Sequence, residues 1–158
     1  MKYKLTDVKI NFMGKTLFQI EAVKCFGDIV KGQKGGFIEK ESNLSQGGGN
    51  AWVSGDAKVY GNAKVSGNAK VYGNAWVSGN AEVYGDADYL VIGPIGSRND
   101  ITTFFKTANN DIKVSCGCFT GTIEEFLEKV NETHGNNNYA KEYKTAVEIA
   151  KIHIFGGE

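Results

Sequence analysis

The stretch from residue 50 to residue 85 repeats one six-residue pattern six times, and this period constrains the fold more than any other feature. Each hexad reads Asn or Asp, Ala, a variable residue, Val, Ser or Tyr, and Gly. Residues two apart in an extended chain share a face, so every hexad places its Ala and its Val on the same side. The Gly-Asn and Gly-Asp pairs between hexads favour turns. A short fixed period with a turn in each repeat predicts a β-solenoid.

The variable position of the hexads indicates how many repeats make one coil. If residues 18 apart stack, the facing pairs are Trp52 with Lys70, Lys58 with Trp76, and Lys64 with Glu82. A coil of two hexads would instead oppose Lys58 to Lys70, and like charges directly opposite each other are unfavourable. The side chains therefore favour three hexads per coil.

The spacing of the inward residues resembles that of a known family. Val53 is followed four positions later by the small residue Ala57, and Val59 by Ala63, as in the left-handed parallel β-helix of hexapeptide-repeat proteins. The segment LTDVKINFMGKTLFQIEAVKCFGDIVKGQKGGFIEKESNLSQGGGNAWVSG resembles the N-terminal part of prophage-encoded hexapeptide-repeat proteins. The segments VIGPIGSRNDITTFFKT, IKVSCGCFTGTIEEF and HGNN are similar to a C-terminal module of phage proteins from Firmicutes-type hosts. The resemblance implies a phage or prophage origin and a left-handed β-helix, and it implies no activity or catalytic residue.

The segments on either side of the hexads predict different structures. Residues 1–45 read as short strands and turns and are expected to form an N-terminal β cap. The strand-prone segments ITTFFKT and IKVSC, separated by a polar turn, predict a β-hairpin. A capping-box match from Thr122 to Glu125 and two stretches of helical periodicity predict two helices. The expected fold is mainly β: a short left-handed parallel β-helix (46–88) between this cap and a C-terminal α+β module (89–158).

Composition excludes several classes of protein. The 158 residues carry 18 basic and 18 acidic side chains, which argues against nucleic-acid binding through bulk charge. The sequence has no run of 18 apolar residues, and its start lacks a signal-peptide core, so no membrane association is expected. An odd number of cysteines, Cys25, Cys116 and Cys118, favours a reducing compartment. We expect the protein in the cytoplasm of a bacterial host.

The loop from Gly93 to Asp100 is the strongest candidate for ligand binding. It contains the only Arg of the chain, Arg98, whose planar guanidinium suits phosphate or carboxylate. Glycines in the loop allow close approach of the backbone to a ligand. The predicted ligand-binding residues are Ser97, Arg98, Asn99, Thr102 and Thr103. The alternative is a tight turn with Arg98 in an ordinary ion pair, since the loop lacks the GK[ST] ending of a phosphate loop.

No metal, cofactor or catalytic site is predicted. Cys116 and Cys118 provide two thiolates and have too few further ligands for a structural zinc site. Buried, unreactive thiols are the favoured interpretation of this pair. His134 is interpreted as the C-terminal end of a helix, where its charge is favourable.

Aromatic residues of the repeat predict a surface for assembly or stacking. They are Trp52, Tyr60, Tyr72, Trp76 and Tyr84. Tyr and Trp are enriched in protein interfaces, so we expect a homo-oligomer, with a trimer favoured by analogy with hexapeptide proteins.

Three functions follow from these patterns. The first is a non-enzymatic phage protein that binds and sequesters a host ligand, with a nucleotide immune signal as the specific counter-defence version. The second is a structural or inhibitory protein that binds a host or virion protein. A hexapeptide acyltransferase is the least favoured, because the two histidines, His134 and His153, lie far from the repeats in sequence.

Overall fold

A computed structural model describes residues 1–85, 88–117 and 119–156 of the chain. The chain divides into two compact units, Met1–Asp86 and Ala87–Glu158. The predicted N-terminal cap and nearly all of the hexad segment thus share the first unit. Cys118, predicted to be a buried thiol, lies outside the described residues.

The first unit begins with three antiparallel strands. Strand β1 (Tyr3–Phe12) pairs with β2 (Lys15–Ala22), and β2 pairs with β3 (Lys34–Ile38). The pairing of β1 with β2 is irregular between Leu5 and Lys9. A short 3-10 helix, Glu41–Asn43, follows β3 and leads towards the repeats.

Each hexad contributes a strand of two residues. These strands are β4 (Trp52–Val53), β5 (Lys58–Val59), β6 (Lys64–Val65), β7 (Lys70–Val71), β8 (Trp76–Val77) and β9 (Glu82–Val83). β4 pairs with β7, β5 with β8 and β6 with β9, all parallel, so the facing residues are 18 apart. The predicted spacing of three hexads is confirmed. The Ala and Val positions of all six hexads are buried and form the interior of this unit.

The prediction of a single left-handed parallel β-helix is wrong. The strands of the first unit form separate small sheets: a mixed five-stranded sheet in the order β1-β2-β3-β5-β8, and the two-stranded pairs β4-β7 and β6-β9. The N-terminal strands share a sheet with two hexad strands, because β3 pairs in parallel with β5 through Phe37 and Lys58. An unpaired strand edge leaves backbone hydrogen-bonding groups without partners, and β5, the strand of the second hexad, pairs with the edge that β3 offers.

The second unit contains a four-stranded antiparallel sheet. Its strands are β10 (Tyr89–Ile95), β11 (Asp100–Lys106), β12 (Ile112–Cys116) and β13 (Phe119–Thr122), paired in chain order. The predicted hairpin is present as β11 and β12. However, β10 and β13 extend it on both sides, so the predicted module of one hairpin and two helices is incomplete. A two-stranded hairpin is marginally stable alone, and the added strands give the helices a wider surface on which to pack.

Two helices complete the second unit: α1 (Ile123–His134) and α2 (Asn138–Phe155). The predicted capping box is confirmed, since Thr122 Oγ1 accepts from the Glu125 N–H at 3.1 Å and Glu125 Oε1 accepts from the Thr122 N–H at 3.0 Å. The buried face of α2 packs in one core with Phe104, Phe126 and Val114; it consists of Ala140, Tyr143, Ala146, Val147 and Ala150. No helix within the described ranges is both long enough and apolar enough to cross a membrane.

Candidate ligand-binding site

A cavity of about 330 Å³ lies in the second unit, between one end of the sheet and helix α1. Four segments line it: the turn between β10 and β11, the turn between β12 and β13, the second half of α1, and Tyr143 of α2. Ser97 and Arg98 come from the first turn, and Lys129, Thr133 and His134 come from α1. The cavity therefore collects polar groups from parts of the chain that are far apart in sequence.

Two cationic side chains of this pocket have no acidic partner in the part of the chain that the structure describes. Within the described residues, neither Arg98 nor Lys129 lies within 4.0 Å of a carboxylate oxygen. Asp100 is the only acidic residue in the described lining. The guanidinium of Arg98 packs over Gly117, where a Cβ atom would lie 2.9 Å from Nη1. Among the described residues, the ordinary ion pair considered as an alternative for Arg98 is thus not formed, and an external anion would compensate both charges.

The interior wall of the pocket is aromatic. Phe126 lies between Phe119 and Tyr143, with ring centroids 5.6 Å and 5.4 Å away. The imidazole of His134 stacks on the Tyr143 ring at 6.0 Å, with 25° between the planes. Phe119 and His134 are only partly buried, so ring surface faces the cavity. The site suits a ligand that has an anionic part and a flat, less polar part.

Tyr143 and Glu142 of α2 fix the turn that carries Arg98. Gly96 has φ +76°, and a Cβ atom at this position would overlap the Tyr143 hydroxyl. The Gly96 N–H donates to Glu142 Oε1 at 3.1 Å. These contacts require glycine at position 96 for two reasons: the backbone conformation and the space that the tyrosine occupies.

The Tyr143 hydroxyl is kept protonated by its surroundings. Burial, with a further contribution from the neighbouring Cys116, raises the pKa of Tyr143 to about 12. The Cys116 thiol also accepts a hydrogen bond from Thr102 Oγ1, with 3.4 Å between oxygen and sulfur. At neutral pH the phenol is a hydrogen-bond donor and not a base.

The structure brings only part of the predicted ligand-binding set together. Ser97 and Arg98 line the cavity, and Asn99 lies between Arg98 and Asp100 with φ +49°, outside the described lining. Thr102 and Thr103 are 0% and 1% exposed within β11, so neither reaches a ligand in the cavity. Strand β11 begins at Asp100, and both faces of the strand are buried at its third and fourth residues, Thr102 and Thr103.

Sequence reasoning missed most of the residues that complete the pocket. They are Asp100, Cys116, Phe119, Lys129, Thr133, His134 and Tyr143. One signal was present: Lys129 and Thr133 are four residues apart on a predicted helix and therefore share a face. His134 was interpreted only as a helix end, although it also contributes its ring to the cavity.

The predicted aromatic surface of the first unit is only partly exposed. Trp52 and Tyr60 are 2% and 7% exposed, whereas Tyr72 and Tyr84 are 62% and 71% exposed. Phe26 packs edge-on against Trp52 at 5.6 Å, and Phe12 packs against Trp76 at 4.8 Å. Rings from the N-terminal segment thus cover both tryptophans, and the exposed part of the set reduces to the two tyrosines.

A scan of protein-family models and a search of curated proteins gave no match to this chain. Within residues 1–85, 88–117 and 119–156, no three His, Cys, Asp or Glu side chains are grouped as metal ligands. The assignment of the pocket therefore rests on its own side chains.

Proposed function

We propose that this protein binds a small phosphate-bearing ligand of the nucleotide class in the pocket of its second unit, without chemical turnover. The observation that carries the proposal is that Arg98 and Lys129 line one cavity and neither has an acidic partner within 4.0 Å in the described chain. Arginine presents a planar fork that matches phosphate oxygens, and lysine adds a compact charge. Two cations from different segments would hold one phosphate between them.

The size and the walls of the pocket favour a ligand with a single ring system. A cavity of about 330 Å³ is at the small end of the range for binding sites of drug-sized molecules. The partly buried rings of Phe119 and His134 offer surfaces on which a nucleobase would stack, an interaction worth about 1–3 kcal/mol per base. This combination supports a nucleotide over an inorganic anion.

Binding without turnover is supported by the state of the candidate catalytic groups. Tyr143 holds its proton well above neutral pH, so it donates hydrogen bonds and does not abstract protons. His134 packs against both Tyr139 and Tyr143, with ring centroids 5.5 Å and 6.0 Å away. A protein that holds a nucleotide in this manner would act by sequestration. We propose as its target a nucleotide immune signal in the cytoplasm of the bacterial host, a hypothesis motivated by the phage or prophage origin that the resemblance implies.

Isothermal titration calorimetry with linear and cyclic nucleotides tests the proposal. Arg98→Ala removes a charge-assisted hydrogen bond, typically worth about 1.5–3 kcal/mol, and should weaken binding by about 10- to 100-fold. Lys129→Ala should weaken binding in the same direction. Lys144→Ala is the matched control, because this exposed lysine of α2 does not line the cavity.

Chromatography of the recovered nucleotide should show no product after prolonged incubation. The proposal fails if no nucleotide binds, or if Arg98→Ala and Lys144→Ala have the same affinity as the unmodified protein. A product that accumulates with time would instead indicate an enzyme.

A second candidate function, protein binding, is favoured by the exposure of Tyr72 and Tyr84 on the first unit. We propose these rings as a contact surface for further copies of the chain, with a homotrimer as the expected assembly, or for a host or virion protein. Sedimentation velocity should show a trimer that weakens in a Tyr72→Ser, Tyr84→Ser double variant. Tyr139→Ser, in the second unit, is the control. A monomer at micromolar concentration would contradict the assembly.

A further inference from the structure

Asp100 is a carboxylate in a pocket that otherwise carries positive charge. Its Oδ1 atom accepts a hydrogen bond from the Ile101 N–H at 2.8 Å. Within the described residues, Oδ2 accepts no hydrogen bond, and no cation lies within 4.0 Å of the carboxylate. Asp100 is exposed and lines the cavity, so this oxygen is an unused acceptor at the binding site.

The turn keeps Asp100 apart from Arg98. The two residues are separated only by Asn99, whose φ of +49° places it in the left-handed region, which asparagine tolerates better than most residues. The Asn99 N–H donates to the Gly96 carbonyl at 3.1 Å and closes the turn. Arg98 and Asp100 thus lie on either side of Asn99 in this turn. Both line the cavity, as separate groups of opposite charge.

A site for phosphate alone would be weakened by this carboxylate, because like charges repel at short range. A carboxylate is, however, a strong acceptor for hydroxyl donors, and acidic residues recognise the hydroxyls of ribose in nucleotide sites. We infer that the Asp100 carboxylate accepts a hydrogen bond from the ribose 2′-hydroxyl of the ligand, so that the pocket prefers ribonucleotides to 2′-deoxyribonucleotides. This inference rests on the proposed function and names the sugar that the site accepts.

The expected selectivity is moderate. A site that hydrogen-bonds a ligand hydroxyl discriminates against the analogue that lacks it, and the discrimination is greatest when the protein group is buried. Asp100 is exposed, so water can satisfy its oxygen when the hydroxyl is missing. We expect ribonucleotides to bind about tenfold more tightly than their deoxy counterparts.

Titration calorimetry with the four ribonucleoside monophosphates and the four 2′-deoxyribonucleoside monophosphates tests the inference. The Asp100→Asn variant keeps the size of the side chain and its ability to accept from the Ile101 N–H. It should bind the deoxy ligands at least as tightly as the unmodified protein does, since repulsion of the phosphate is relieved, and the tenfold preference should shrink. Asp111→Asn, in the turn after β11, is the control and should keep the preference, because Asp111 does not line the cavity.

The outcomes separate this inference from the proposed function. Equal affinity for the ribo and deoxy ligands overturns the selection by Asp100 and leaves the phosphate site intact. A preference that persists in Asp100→Asn, with an unchanged circular dichroism spectrum, overturns the role of this residue. Failure of all eight monophosphates to bind overturns this inference, and the proposed function fails as well only if the cyclic nucleotides also do not bind.

Discussion

The two units of this protein differ in whether their residue contacts repeat along the chain. In the first unit each hexad meets a copy of the same pattern, so Val53 faces Val71, Val59 faces Val77 and Val65 faces Val83. In the second unit the informative contacts occur once: the Tyr143 hydroxyl against Gly96, and the Arg98 guanidinium against Gly117. Repetition makes strand pairing robust, because many equivalent contacts contribute to it. A binding site needs several different groups at one place, and the irregular unit supplies them.

Glycines with the same backbone conformation show the difference most clearly. Gly73 and Gly96 have φ +68° and +76°. A Cβ atom on Gly73 would have no neighbour within 4 Å, whereas one on Gly96 would overlap the Tyr143 hydroxyl. The first glycine is required only by its conformation, and the second also by its neighbour.

The largest predicted effect tests whether replacing the glycine that packs against Tyr143 costs more stability than replacing a glycine in open space. Gly73→Ala should lower the free energy of unfolding by about 1–2 kcal/mol, the cost of a left-handed backbone for an L-residue. Gly96→Ala should cost that amount plus about 1–3 kcal/mol for the steric overlap. Urea unfolding followed by tryptophan fluorescence reports the first unit, which holds Trp52 and Trp76, and ellipticity at 222 nm reports the helices of the second.

Gly156→Ala provides the control within the second unit. Gly156 has φ +73° and ψ +23°, in the left-handed region, and its Cβ position is open, so this change should resemble Gly73→Ala and not Gly96→Ala. Equal losses for all three variants would show that the contact with Tyr143 contributes nothing.

The second prediction uses buried tyrosines, which occur in both units. Burial raises the pKa of Tyr3, whose hydroxyl donates to the Leu44 carbonyl at 2.6 Å, and burial raises the pKa of Tyr143 to about 12. A tyrosine whose pKa is higher in the folded state stabilises the fold fully below its unfolded pKa of about 10. For Tyr143 this stabilisation should disappear as the pH rises from about 10 to about 12.

The loss from Tyr143 has an upper limit of about 3 kcal/mol, and water in the pocket will reduce it well below that value. Urea titrations at pH 8, 10 and 12, monitored at 222 nm, should show a smaller alkaline loss for Tyr143→Phe than for the unmodified protein. Tyr139→Phe, a change at an exposed ring, should leave the loss unchanged. If Tyr143→Phe and the unmodified protein lost the same stability between pH 8 and pH 12, Tyr143 would not be a source of the alkaline loss.

The smallest predicted effect concerns the helix that carries Lys129 and His134. Thr122→Ala removes the side-chain acceptor for the Glu125 N–H and should cost about 1 kcal/mol. The loss should appear at 222 nm and not in the tryptophan signal, because the capped helix belongs to the second unit. Thr145→Ala is a suitable comparison, since its hydroxyl donates to the Lys141 carbonyl within a helix and caps no helix start. Equal effects of the two threonine changes would argue against the cap.

The sequence predicted best where one local rule decides the structure. The pairing of Trp52 with Lys70 followed from the repeat and from the cost of opposing like charges. The cap at Thr122 and the buried face of α2 around Val147 followed from spacing alone. These features depend on residues close in sequence, or on a period that brings equivalent residues together.

The parts that were not predicted depend on contacts between distant segments without a period. Phe12 covers Trp76, and the Lys58 ammonium lies over the Phe12 ring at 5.1 Å, although Lys58 and Trp76 face each other in the paired strands as predicted. The pairing of β3 with β5, which joins the N-terminal strands to the hexads, left no local signal. The pocket likewise combines Arg98 with Lys129, and only the packing of helix on sheet brings them to one cavity.

The offset of 18 residues between paired strands has a consequence for how such a gene can change. Recombination that duplicates three hexads leaves every strand opposite a strand of the same phase. If 56–73 were duplicated, the second copy of Lys58 and Val59 would lie between β5 and β8, and the pairing would continue through it. The first unit can therefore grow in steps of 18 residues, whereas excision of 56–73 would remove the partner of β4. An insertion in the turns of the second unit would separate Arg98 from Lys129. We therefore expect repeat duplication to be tolerated in the first unit and changes of length to be rare in the second.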